Sequence, residues 1–156
     1  MANNESSFKS EFRKALEVQY GALAEIWTSN DMFRCGIPDF NATWEGKYFS
    51  VEAKFVTKLP TKGCSKVLKH EVSALQYRHL KRMYTTGCFG IVLIGMSDIA
   101  VAVPVLDMTP NSLEPGSAAN ISLQNLHDMR DSGLGFIKSK GHWQVKGFFE
   151  KIASVI

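Results

Sequence analysis

The chain has 156 residues, of which 45% are hydrophobic and 21% charged, with a net charge of +3. That length and composition fit one globular domain over residues 1–156 with a core that needs no disulfide or structural metal, and the longest apolar run, 88–96, is far too short to cross a bilayer. Residues 1–7 show neither the basic nor the apolar part of a secretory signal, and Cys35, Cys64 and Cys88 form no CxxC pair, so they are expected to be reduced thiols of a cytoplasmic protein with no membrane partner.

Taken in chain order, residues 7–27 read as an amphipathic helix. At about 100° per residue, Phe12, Ala15, Leu16, Gln19, Ala22 and Leu23 fall within about 80° of Phe8, a stripe wide enough to pack on a sheet. Glu11 borders this stripe and Glu17 points away from it. Residues 37–44 form a short extended segment, Glu45-Gly46-Lys47 a tight turn, and 48–55 a strand. In that strand Phe49, Val51, Ala53 and Phe55 share one face, and Tyr48, Ser50, Glu52 and Lys54 share the other. The two segments should pair as an antiparallel hairpin.

Residues 57–69 contain Pro60, Gly63 and four lysines without apolar periodicity, and read as a mobile loop. Ser73 is placed to cap a helix running to about Tyr84, with Leu80, Met83 and Tyr84 facing inward and Gly87 as its stop. Residues 89–95 suit a central strand covered on both faces, and 99–105 a further strand. A Pro/Gly/Ser-rich connection over 110–119, a helix around 123–130 and an amphipathic end over 143–156 follow. Trp143, Phe148 and Phe149 either cap the core or form a dimer contact. The order α-β-β-α-β-β predicts an α/β domain with a mixed central sheet flanked by helices.

Charge is unevenly spread. From 47 to 82 there are nine basic residues (Lys47, Lys54, Lys58, Lys62, Lys66, Lys69, Arg78, Lys81 and Arg82) against Glu52 and Glu71. This local +7 leaves −4 for the rest of the chain. Such a segment is either a solvated face or a contact surface for a polyanion.

The stretch richest in chemistry is Pro38-Asp39, then twelve residues, then Glu52-Ala53-Lys54. Glu52 and Lys54 leave the same face of their strand, and the hairpin returns Asp39 alongside them. Two converging carboxylates repel unless a cation lies between them, and hard oxygen donors select Mg²⁺, with Mn²⁺ able to substitute. The Ala53 carbonyl, between the two side chains, is a further candidate ligand. A protonated Lys54 cannot be a ligand, but its ammonium is suited to orient a water or to stabilise charge developing on a phosphate. This set fits metal-dependent phosphodiester hydrolysis. Singly, Asp39 is also an ordinary turn residue, and Glu52 and Lys54 an ordinary solvent-facing ion pair. Zinc chemistry is not indicated, since His70, His79, His127 and His142 have no ligand spacing.

Pro38-Asp39 with Glu52-Ala53-Lys54 resembles the motif of the PD-(D/E)XK nucleases, with helix, hairpin, helix and strand in the family's order. Within that superfamily, residues 46–54, then 68–71, 76–80 and 87–92, are similar to RecU-type Holliday junction resolvases. The likeness spans about 8–105, and VRR-NUC-type nucleases share nearly the same core. The resemblance implies a restriction-endonuclease-like fold and a homodimeric, Mg²⁺-dependent endonuclease of DNA recombination and repair that resolves four-way junctions. The alternatives are a nickase or exonuclease on duplex, flap or single-stranded DNA, or a DNA-binding module without catalysis. It also implies an acidic residue on the first helix beside the metal site, for which Glu11 is the choice, and a glutamine on the following helix, which maps to Gln76. Ser73-x-x-Gln76 is equally a capping box, in which Gln76 only serves the backbone. Branched DNA as partner gives Lys58, Lys62, Lys66, Lys69 and Arg78 a role in holding phosphates.

Overall fold

Helix α1 spans Glu5–Tyr20 in the computed structural model, which describes residues 4–28, 36–114 and 116–155; Cys35 lies outside them. The helix starts earlier than its apolar stripe suggests because the Asn4 side chain accepts the Ser7 N–H at 2.8 Å as an N-cap. It also ends earlier. Gly21 adopts φ +54°, a left-handed geometry no helix continues through, and after one turn of 3₁₀ helix residues Ala24–Trp27 form strand β1. The expected helix over 21–27 is therefore corrected, and Leu23, counted in the buried stripe, is 73% exposed.

Strands β2 (Phe40–Trp44) and β3 (Lys47–Phe55) form the expected hairpin, paired from Phe40↔Val51 to Trp44↔Lys47. Glu45 and Gly46 both take positive φ, at +47° and +75°, which twists a two-residue turn to match its strands. Helix α2 (Ala74–Thr85), capped by Ser73, crosses to β4 (Phe89–Met96), which runs parallel to β3. Then come β5 (Ile99–Pro104), a two-strand ribbon of β6 (Thr109–Pro110) and β7 (Ala119–Asn120), α3 (Leu123–Met129), β8 (Gly135–Ser139), β9 (His142–Trp143) and α4 (Phe148–Val155). The main sheet is ordered β1-β2-β3-β4-β5-β8-β9, with β3–β4 its parallel pair and the others antiparallel. The mixed α/β architecture is as expected, while β1, β8 and β9 add strands the pattern did not show.

Each face of the sheet carries its own core. On one, Phe8, Phe12 and Leu16 of α1 and Phe148, Phe149 and Ile152 of α4 cover Phe49, Val51, Ala53, Ile91 and Leu93. Tyr20 ties these helices together, donating to Glu150 Oε1 at 2.8 Å and accepting from the Phe149 N–H at 3.2 Å. Trp143, Phe148 and Phe149 are thus core residues, not a dimer contact. On the other face, Tyr77 and Leu80 of α2 and Leu123 and Leu126 of α3 cover Val92, Ile94, Val101 and Val103. Met83 is half-buried and Tyr84 38% exposed, so the inward pair of α2 is Tyr77 and Leu80. Gly90 permits that contact, since a Cβ there would meet the Leu80 carbonyl oxygen at 2.4 Å.

Residues 57–69 are not the free loop expected. Val67, Leu68 and Val72 are buried in the second core. Val67 N–H donates to the Ile121 carbonyl at 2.9 Å, and Asn120 brackets Leu68, its Oδ1 accepting from Leu68 N and its Nδ2 donating to Leu68 O. Three apolar side chains among the lysines suffice to pin the segment. Among the described residues no helix is long and apolar enough to cross a membrane.

Candidate active site

The register of the hairpin decides which groups meet. Ladder partners of β2 and β3 end at Phe40↔Val51; one step further along the same register sets Asp39 opposite Glu52. Directly opposed residues of an antiparallel pair project to the same face. The contacts agree. Asp39 Oδ2 accepts the Ala53 N–H at 2.8 Å, and the charge of Asp39 acts directly on Glu52. Since the N–H and C=O of one strand residue leave the same edge, the Ala53 carbonyl also faces the Asp39 side.

Glu52 and Lys54 are not solvent-facing. They are 4% and 7% exposed, and Lys54 Nζ stands 3.9 Å from Glu52 Oε1. Below them Ser50 Oγ donates to Asn41 Oδ1 at 2.8 Å, so a polar stripe runs along this face of β3, while Phe49, Val51 and Ala53 make its other face apolar. Glu52 Oε1 accepts from Gln76 Nε2 at 2.8 Å, whereas Oε2 is buried with no hydrogen-bond partner among the described residues. Burial pushes the Glu52 carboxyl up to about 8, the adjacent Asp39 charge pushes the same way, and Lys54 opposes both. Asp39 and Glu52, two carboxyl groups set against each other, could hold a cation between them.

Gln76 makes both the capping contacts and a contact to Glu52. Its Oε1 accepts the Ser73 N–H at 3.0 Å and its own N–H donates to Ser73 Oγ at 3.2 Å, completing a capping box, while its Nε2 reaches Glu52. Glu11 does not reach the site. Its Oε2 accepts from Lys138 Nζ of β8 at 3.2 Å. The buried stripe of α1 has two edges: relative to Phe8, Glu11 lies about 60° to one side, and Glu5 and Lys9 about 60° and 100° to the other. It is the second edge that meets the hairpin. Lys9 Nζ donates to Asp39 Oδ1 at 3.0 Å, and Glu5, one turn earlier, acts through its charge on both Lys9 and Glu52. Burial alone would lower the Lys9 pKa, but the bond and charge of Asp39, with Glu5 and Glu52 adding to them, raise it. Glu5 and Lys9 were missed because the apolar stripe begins only at Phe8; Asn4, an N-cap type of residue ahead of Glu5, was the available signal.

The donor atoms suit a hard cation. No three His, Cys, Asp or Glu side chains gather as a metal cluster among the described residues. Two carboxylates and a backbone carbonyl nevertheless match the sparse oxygen set by which Mg²⁺, which keeps several of its waters, is held. Lys58, Lys62, Lys66 and Lys69 all face solvent on the pinned segment that leaves the end of β3, and Lys66 Nζ donates to Asn111 Oδ1 at 3.1 Å. Arg78 is exposed on the outer side of α2, away from Glu52.

No family model matches the chain, and no curated protein matches its sequence. Among solved structures it is similar to that of Archaeoglobus fulgidus Hjc, a Holliday junction resolvase from an archaeal hyperthermophile. The TM-score is 0.53 and the identity 16%, over 76% of this chain and 86% of that one. At that identity the likeness is one of fold, and the fold is restriction-endonuclease-like: a mixed central sheet flanked by helices.

Proposed function

We propose that the chain is a metal-dependent DNA endonuclease that resolves four-way junctions by phosphodiester hydrolysis. The observation that carries this reading is the meeting of Asp39 and Glu52 on one face of the hairpin, with Glu52 Oε2 buried and unbonded. The likeness in fold to a Holliday junction resolvase supports it.

Asp39, Glu52 and the Ala53 carbonyl would hold Mg²⁺, or Mn²⁺ in its place, and Glu5 takes the place of Glu11 as the acidic group of the first helix. Such an ion supplies Lewis acidity toward water and toward the phosphate oxygens. Gln76 holds Glu52 by Oε1, which leaves Oε2 as the donor turned to the site. Lys54 Nζ, beside that carboxylate, places a positive charge where the attacked phosphate gains negative charge. Water oxygen would bond to phosphorus and release one proton to solvent, the P–O3′ bond would break, and the O3′ leaving group would take up a proton from solvent. Symmetric cutting of a four-way junction requires two such centres related by a two-fold axis, so the active species is a homodimer.

The test is cleavage of labelled four-way junctions, flaps and linear duplexes of matched sequence with Mg²⁺. Paired symmetric nicks in the junction, abolished by Asp39→Ala, are expected. Preferred cutting of linear or flapped DNA, or undiminished cutting by Asp39→Ala, would overturn the reading.

A further inference from the structure

Helix α2 has a second charged side that the candidate active site does not use. Gln76 and Leu80 face the sheet. At about 100° per residue, Arg78, Lys81, Arg82 and Thr85 all fall within about 60° of the direction opposite Gln76. Together with Ser112 and Ser117 of the β6–β7 connection, they line a groove of about 510 Å³. Lys81 Nζ rests over the Tyr77 ring, 4.9 Å from its centroid. None of the three cations is ion-paired among the described residues, and the acidic side chain on the lining is Glu114.

The lysine-bearing segment leads to this groove. Lys66 Nζ is bonded to Asn111, whose Nδ2 in turn donates to Glu71 at 2.6 Å, and Asn111 adjoins the groove residue Ser112. Arg78, Lys81 and Arg82 line the groove against the single carboxylate of Glu114, and Lys66 approaches it beside Glu71, which leaves a net positive surface.

We infer that this groove binds the sugar-phosphate backbone of a second DNA segment, distinct from the strand at Asp39 and Glu52. The choice of DNA as the polyanion rests on the function proposed above. Two arginines and a lysine on one side of a helix contact phosphates irrespective of base. The body of α2, about 10 Å thick, separates the groove from the site. One backbone passing the carboxylates does not also fill the groove; a second backbone must, and at a branch point that backbone belongs to a neighbouring arm. The groove therefore supplies preference for branched over linear DNA and takes no part in bond cleavage.

The test is equilibrium binding without metal, in EDTA, so that nothing is cut. The full chain and the triple variant Arg78→Gln, Lys81→Gln, Arg82→Gln are titrated with a four-way junction and with a linear duplex of equal length over a range of salt. All three side chains are exposed, and circular dichroism verifies the fold. The junction Kd should rise about tenfold or more, with a log K against log salt slope shallower by roughly two to three, while the preference for junction over duplex is lost. A companion variant, Arg78→Lys with Arg82→Lys, keeps the charge and should keep most of the preference. Equal weakening of both substrates, no weakening, or loss in the charge-keeping variant would each overturn the inference. The nuclease reading fails differently, through wild-type protein that cuts no DNA with Mg²⁺, which this assay does not involve.

Discussion

Gln76 and Glu52 are joined at 2.8 Å by the same side chain that closes the first turn of α2, so helix cap and site support are one residue. An amide has a donor end and an acceptor end. The acceptor serves Ser73 N–H, and the donor orients the buried carboxylate.

The two roles separate by substitution. Ser73→Ala removes the hydroxyl half of the cap and should cost about 1 kcal/mol in urea unfolding with Mn²⁺ affinity nearly unchanged. Gln76→Ala should cost a similar amount and also weaken Mn²⁺ binding by about tenfold or more, as loss of a group orienting a ligand does. Equal Mn²⁺ affinity in the two variants would remove Gln76 from the site.

The raised Glu52 pKa makes metal-free stability pH-dependent. The folded value of about 8 lies above the ordinary 4.5, so the folded state holds this proton more tightly than the unfolded chain. Its contribution is fully present below pH 4.5 and is lost as pH rises through about 8. Melting in EDTA should therefore show Tm falling between pH 5 and 8, a slope that Glu52→Gln removes. Mn²⁺ should stabilise most at the alkaline end, where the carboxylate is ionised. A Glu52→Gln profile parallel to wild type would contradict this.

Lys9 occupies one oxygen of Asp39 and so competes with a cation for it. The Lys9 side chain is 40% exposed, so the pair is screened and worth at most about 1 kcal/mol. Lys9→Met should tighten Mn²⁺ binding by about two- to fivefold, read by calorimetry. Weaker binding would instead make Lys9 a support of the site.

The position of α2 depends on a glycine. A Cβ at residue 90 would lie 2.4 Å from the Leu80 carbonyl oxygen, a backbone atom that cannot turn aside. Gly90→Ala should push the helix outward, cost about 1–3 kcal/mol in denaturant unfolding, and lengthen the Gln76–Glu52 contact. Full stability together with unaltered Mn²⁺ affinity would show that the helix is not held by this contact.

The legible parts of the fold are those fixed by short-range rules. Alternation over 48–55 and the need for positive φ at Glu45-Gly46 give the hairpin and its register, which brings Asp39 to Glu52. Ser73 marks the start of α2, and the apolar 89–95 marks the central strand. What escaped was set by tertiary geometry. Periodicity finds the buried face of α1 but not which edge of it meets the hairpin, hence Glu11 in place of Glu5 and Lys9. Strand β1 continues the apolar pattern of the helix, and only the backbone turn at Gly21 parts them. Val67, Leu68 and Val72, scattered among lysines, show no period although they anchor the whole segment.

The claim beneath all of this is that Asp39 and Glu52 share one divalent ion. Mn²⁺ binding followed by electron paramagnetic resonance, with an uncleavable phosphorothioate junction bound, tests it most directly. The wild type should take up Mn²⁺ beyond that of the DNA alone, and Asp39→Asn and Glu52→Gln should each abolish that uptake. Uptake equal in wild type and both variants would contradict the shared site and, with it, the proposed chemistry.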